Sequence, residues 1–501
     1  MDDLLSLNDD YLYEDNNTSG TEIDSSVQPR KKRKKKSSIL EYIDEQGNTV
    51  PLPPQKTPWY LMYVSSSPTE HSAKRAKKFR RRFRMPYDCY LKLTEKVKSH
   101  VLFEQYLRPN PLHKKDSPIE LLVLGALRYL GRGWTFDDLE EATGIGEETH
   151  RCFFHKFIKF GATVLFDEYV VTPTKNDEVT ASHMHEFFLA GLSGAVGSTD
   201  AVHVHSEKIP SEFAVHHKGY KMTSTARTYN ICANHRRRIL STTRGHPARW
   251  NDKTLVLYDS FIHGLHEGKY LSDVEFVLLD EDSEGNVVER KYSGAWVISD
   301  NGYRRWSITM PPMKVTVNRQ EIRWSEWVES MRKDVECTFG ILKGRWRVLK
   351  AGVRLHGTEA VDKIWSTCCA LHNWLLEVDG LDEQWENGHT QSDWLGEMGD
   401  HDPSDQATSF ALQRLASPSQ FRSYDSSSMG IGNDRHVLNN NDTEEDEPLN
   451  SILDDDDDHS GVREVRKLPQ EYFRRKLIKH FDIKWKRNSI IWPGRCTRSQ
   501  S

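Results

Sequence analysis

Carboxylates are the side chains in this sequence whose types and spacing could hold reactive metal ions. Asp200 lies in Gly197-Ser198-Thr199-Asp200-Ala201-Val202-His203, Asp252 follows Asn251, and Asp300 lies in Ser299-Asp300-Asn301-Gly302-Tyr303. Glu336 stands in a longer stretch, Arg332 to Arg347, in which Val335, Phe339, Leu342 and Trp346 recur at helical period. Arg332, Gly340, Lys343 and Arg347 share the flank of Glu336. A cationic flank repels a metal and attracts phosphate. Brought together, such carboxylates are hard oxygen ligands for two divalent ions. One ion then ionises a water or hydroxyl nucleophile, and the other stabilises the leaving oxygen of an in-line attack on a phosphodiester. Taken singly, each Asp also reads as a cap or turn residue, and the Glu336 helix as an amphipathic surface helix with a salt-bridged glutamate.

Positioning these groups requires strands and helices in a definite order. Val196–Val204 reads as a buried strand carrying Asp200, and Tyr229–Ala233 with Ile239–Thr243 as a hairpin across Asn234–Arg238. Lys253–Leu265 has helical period, and Gly294–Asp300 is a short apolar strand that ends in an acid and a glycine turn. The Glu336 helix follows, and then a helix over Ala360–Val378. Strand acid, hairpin, helix, strand-end acid, helix acid is the order of an RNase H-like mixed-sheet α/β core. Val274–Leu279 and Asn286–Arg290 predict an extra hairpin.

Ahead of this region the pattern is all-helical. Ser117-Pro118-Ile119-Glu120 predicts a capping box, Thr135 caps a short helix over Phe136–Thr143, and Gly144-Ile145-Gly146 turns the chain into a third helix over Glu147–Phe160. Helix, short helix, glycine turn, helix is a helix-turn-helix pattern. Its last helix carries His150, Arg151, His155, Lys156 and Lys159, and the stretch before it carries Arg80, Arg81 and Arg82; these are candidate DNA contacts.

The chain has 69 Lys and Arg against 74 Asp and Glu, a net charge of −5 that hides strong segregation. Arg30, Lys31, Lys32, Arg33, Lys34, Lys35 and Lys36 form a basic run that reads as a nuclear localisation signal, and Asp454–Asp458 is solidly acidic. Mean hydropathy of −0.70 predicts that part of the chain is disordered: a tail over 1–56 and an acidic linker over 379–462. The 463–490 segment predicts a basic amphipathic helix that docks on the core or on nucleic acid. Seven scattered cysteines without a CxxC pair fit reduced thiols, and Cys368, Cys369 and His372 on one helix read as packing. No apolar run approaches a membrane span, the polar N-terminus is not a signal peptide, and no Walker-type loop or GxSxG elbow occurs.

As an ordered set, the Asp200 block, Asn251-Asp252, the Asp300 block, the Arg332–Trp346 block and Leu371-His372-Asn373 resemble PIF/Harbinger-type DDE transposases over roughly 75–375. The resemblance implies a helix-turn-helix-like region over 74–165 and an RNase H-like DDE endonuclease domain over 190–378. It also implies Mg²⁺ or Mn²⁺, terminal-inverted-repeat DNA as substrate, a separate Myb-like DNA-binding partner, self-association and nuclear action. Carried over by residue, Asp200 matches the first acid and Glu336 the last. Asp252 and Asp300 compete for the middle place; the strand-end position favours Asp300, with Asp252 a fourth ligand. Arg332 matches a basic position that, with Lys343 and Arg347, would meet phosphate. Ala201 and Asn301 depart from the family's glycine and serine. The alternative is a transposase-derived nuclear DNA-binding or adaptor protein that no longer cleaves.

Overall fold

A computed structural model describes residues 41–43, 46–65, 73–108, 117–219, 224–379 and 461–491. The basic run 30–36 and residues 380–460 of the expected linker lie outside them. The expected unstructured tail ends earlier than residue 56, because strands β1 (Glu41–Ile43) and β2 (Thr49–Pro51) pair antiparallel. Thr57 then accepts a hydrogen bond from the Tyr60 amide and, with Pro58 in the first turn, opens α1 (Pro58–Tyr63).

The helical region follows as α2 (Ala73–Phe83), α3 (Tyr87–Ser99), α4 (Ile119–Arg132), α5 (Phe136–Thr143) and α6 (Glu147–Phe160). Thr135 and Asp138 form the expected reciprocal capping box of α5. The box expected at Ser117 does not form. Pro118 is the N-cap of α4, so Ser117 stands one residue too far out, and burial of one whole face holds the helix instead. A π turn over Gly161–Leu165 carries α6 into α7 (Phe166–Tyr169). Its cause is Thr367, which donates to the Ile158 carbonyl at 3.2 Å and occupies the space a Cβ on Gly161 would need.

After α8 (Glu178–Leu189) comes β3 (Ala195–His205), the centre of the main sheet. The short α9 (Ser211–Ala214) precedes β4 (Ala226–Ala233), β5 (Ile239–Thr242) and β6 (His246–Pro247). Beyond α10 (Asp252–Leu255) and α11 (Ser260–Glu267), β7 (Glu275–Glu281) and β8 (Val287–Ser293) make the expected hairpin. β9 (Trp296–Ile298) and β10 (Thr309–Met310) return to the sheet. The sheet order is β5-β4-β3-β9-β10, with β6 also on β4. β3, β4 and β5 are antiparallel, whereas β9 and β10 run parallel to β3. The fold is therefore mixed α/β around a mixed sheet.

Two hydrophobic clusters flank this sheet. One joins the helical region to Val202, Val204, Tyr229 and Ile231, so helices and sheet share a single core. The other gathers α11, the short strands and the C-terminal segment around Trp296. Helix α12 (Arg319–Arg345) belongs to both: Trp324, Val328 and Met331 enter the second cluster, Val335, Leu342 and Trp346 the first. It is followed by α13 (Val348–Ala351) and the deeply buried α14 (Thr358–Val378), in which Cys368, Cys369 and His372 are packing residues as expected. The C-terminal segment docks on the core. β11 (Arg463–Glu464) extends β8, and α15 (Gln470–Lys486) sets Phe473 against Tyr292 and Trp296 and Phe481 against Trp327. Asp280 of the hairpin ties α15 down through Lys476 at 3.0 Å and Lys479 at 2.9 Å.

Candidate functional site

Asp200 lies mid-strand on β3, opposite Ile231 and on the same face as Val202 and Val204 by the two-residue period of a strand. Its Oδ1 accepts the Ala201 amide at 2.8 Å. Asp300 follows β9, the parallel neighbour of β3, and its Oδ1 accepts the Gly302 amide at 2.8 Å, which closes the turn. Asp252 opens α10, whose entry is fixed by Asn251 accepting from the Thr254 amide at 3.0 Å. A methyl group on Gly302 would meet Asp252 Oδ2 at 2.9 Å and Asp300 Oδ1 at 3.0 Å, so this glycine leaves the space between the two carboxylates open. Tyr303, the next residue, is buried, and its hydroxyl donates to Asn230 Oδ1. Burial raises the Tyr303 pKa well above its usual value, and the charges of Asp200, Asp252 and Asp300 raise it further. All three aspartates therefore lie within electrostatic reach of its hydroxyl.

Glu336 reaches the group through an arginine. Arg332 holds Glu336 at 2.8 Å, Asp200 at 3.2 Å and Glu329 at 2.9 Å. Burial alone would lower the arginine's pKa, yet these three carboxylates raise it. Arg332, expected to meet phosphate, is a salt-bridge partner in the structure, because α12 lies against β3 and brings Asp200 to its side chain. Glu329 was missed. It occupies the i−3 position from Arg332 and i−7 from Glu336, so helical spacing alone could have revealed it.

Burial pushes Asp200 up to about 7, with Asp300 and Glu336 adding to the rise and the Ala201 amide and Arg332 opposing it. Asp252 is pushed up to about 6, again by burial and then by Asp300. Among the described residues, no three His, Cys, Asp or Glu side chains stand close enough to hold a metal ion as they lie. The donor chemistry still fits a hard divalent cation. The groups are carboxylates, Asp252 and Asp300 face one opening beside Gly302, and Arg332 joins Asp200 to Glu336.

The other candidate contacts fall into two groups. Arg80 pairs with Asp379 at 2.7 Å, Arg82 donates to the Tyr63 hydroxyl at 2.8 Å, Arg151 pairs with Glu148, and Lys156 donates to the Leu102 carbonyl at 3.2 Å. Lys343 is half-buried, donates to the His203 carbonyl at 2.8 Å, and is pushed down to about 8 by burial. Arg81, Lys159 and Arg347 are exposed. His150 faces inward: its ring bonds Thr143 at 2.7 Å and fills the space over Gly125, so it packs the helical region.

Residues 199–373 match the family of DDE superfamily endonucleases, a span that contains all four site acids. The resemblance drawn from the sequence blocks is borne out at that level. The chain is also similar to Protein ALP1-like from Arabidopsis thaliana, at 22% identity over 281 residues, covering 55% of this chain and 64% of that relative. The match thus spans less than two thirds of the relative's length. No solved structure matches the chain.

Proposed function

We propose that the DDE superfamily endonuclease region at 199–373 works as a metal-dependent transposase or endonuclease on DNA, cutting phosphodiester bonds at element ends and joining strands. What supports the reading most is the link from Asp200 to Glu336 through Arg332, with Asp252 and Asp300 facing one opening beside Gly302. The strand order, three antiparallel strands followed by two parallel ones, supports the RNase H-like form of this core. Mg²⁺ or Mn²⁺, held by Asp200, Asp300 and Glu336 with Asp252 as a further oxygen donor, would supply nucleophile activation and leaving-group stabilisation.

The chain's own residues then have separate tasks. Asp200 and Asp252, whose protons burial holds on, must be ionised to act as donors, so metal binding would release protons and strengthen as pH rises. Arg332 supplies positive charge beside Asp200 and is placed to meet a phosphate if the carboxylates release it. Arg81, Lys159 and Arg347 offer exposed charge for the DNA backbone. Inverted-repeat DNA as substrate, a Myb-like partner, self-association and nuclear import through Arg30–Lys36 complete the proposal and rest on the sequence.

A second reading, a DNA-binding protein that keeps the fold without cleaving, is favoured by one observation: Arg332 already occupies Asp200 and Glu336. Cleavage of duplexes carrying the element's ends, with Mg²⁺ or Mn²⁺, separates the two. We expect Asp200→Asn and Glu336→Gln to lose at least about 100-fold in rate, since even outer partners of metal sites cost up to that much. Calorimetry should show carboxylate-dependent binding of the metal. Equal cutting by wild type and both variants would sink the metal-site reading.

A further inference from the structure

Three aromatic rings gather close to Asp252 in the chain: His246 and Trp250 before it, Tyr258 after it. The His246 and Trp250 rings lie 4.8 Å apart at 19°, and Tyr258 closes on both, at 5.1 Å from His246 and 5.0 Å from Trp250. The stack is open on one side: Tyr258 is 56% exposed, and Trp250 and His246 are half-buried.

Its base is rigid. His246 lies on β6, in register with Thr228 of β4. Arg227, which pairs with Asp362 of α14, donates to the Gly245 carbonyl just before it. Trp250 leads into Asn251, the cap that sets the direction of Asp252. Three cations stand beside it in the chain. Arg244, Arg249 and Lys253 are exposed and make no ion pair among the described residues, and residues 243–251 contain no acid.

Exposed π faces with free cations beside them are what unpaired nucleotides bind: bases stack on the rings while phosphates meet the cations. We propose that Trp250, with His246 and Tyr258, is a stacking platform for an unpaired DNA base, and that Arg249 and its neighbours hold the adjoining phosphates. The proposal rests on the reading of this protein as acting on DNA ends and names a ligand for the same site. A base held here fixes the strand next to Asp252 and Asp300, so unpaired or easily frayed ends are preferred over closed duplex.

The test is fluorescence anisotropy with the full-length chain, without added metal. The probes are a mixed-sequence single-stranded oligonucleotide and the matching duplex. Trp250→Ala should weaken single-strand binding by about 5- to 150-fold, the range that loss of one base–aromatic stack spans. Trp250→Phe should restore most of it, and duplex affinity should hold. Single-strand binding unchanged in Trp250→Ala, or both probes weakened equally, overturns the proposal. Should Trp250→Ala fail to fold by circular dichroism, Tyr258→Ala reads the same contact from the more exposed ring, and unchanged single-strand binding there overturns it as well. Single-strand binding is read without metal and without cleavage, so a failure of stacking and a failure of cleavage are distinguishable.

Discussion

Asp200 meets Arg332 at 3.2 Å yet still holds its proton up to about pH 7, because burial outweighs the ion pair and Asp300 and Glu336 repel its charge. Its unfolded value is near 3.8, so the folded state binds the extra proton throughout that interval. Stability therefore falls as pH rises from 3.8 to 7 and stays reduced above. In the metal-free protein, Asp200→Asn should be more stable than wild type above pH 7, by up to roughly 4 kcal/mol, with the advantage shrinking as pH falls through 7 toward 3.8. Urea unfolding across that range measures it; a pH-independent difference would contradict the assignment. The positions of the acids were legible: Asp200 within an apolar strand, Asp300 just after one and Glu336 on a cationic helix flank. The Arg332 network was not. Spacing along α12 shows that Arg332 and Glu336 are neighbours, but only packing on β3 adds Asp200 to the pair.

At the scale of elements, the site depends on how α12 and the β4–β5 hairpin are held. Arg237, in the hairpin turn, pairs with Asp334 of α12 at 2.8 Å, with both side chains buried. His372 of α14 donates to the Arg237 carbonyl at 2.9 Å. The neighbouring Asn373 accepts from the Ile239 amide at 3.0 Å and donates to the carbonyls of Ile239 at 2.8 Å and Tyr169 at 2.9 Å. One amide thus ties α14 to β5 and to the end of α7. Leu371-His372-Asn373, which entered as part of a family resemblance, acts here as a clasp for the sheet. Asn373→Ala leaves three buried backbone groups without their partner and should cost roughly 2–4 kcal/mol in chemical denaturation. A loss below about 1 kcal/mol would mean that water or a shifted backbone replaces the clasp. Local elements were readable where the signal is local: α5 and α6 begin and end where Thr135, Gly144 and Gly146 predict. Ser117 misled because Ser-Pro fits both a cap and the residue before one.

For the whole molecule, what sequence could not reveal is which surfaces meet. Period and composition separate a helical region from an α/β region, but the apolar faces of both close on a single core. The C-terminal helix was ambiguous for the same reason, since an amphipathic basic helix suits a protein core or a nucleic acid equally. Phe473 resolves it, fully buried between Tyr292 and Trp296. Phe473→Ala should cost about 3–5 kcal/mol and lower the thermal midpoint. An unchanged midpoint would mean that α15 is not part of the folding unit. The docking of α15 has a further consequence. Residues 380–460 join this helix to α14, so its seating on the core is an intramolecular binding event, stronger than contact area alone would give. A single cut within 380–460 would turn one chain into a complex of two, in which α15 stays seated through its own affinity and can exchange with a free peptide of the same sequence.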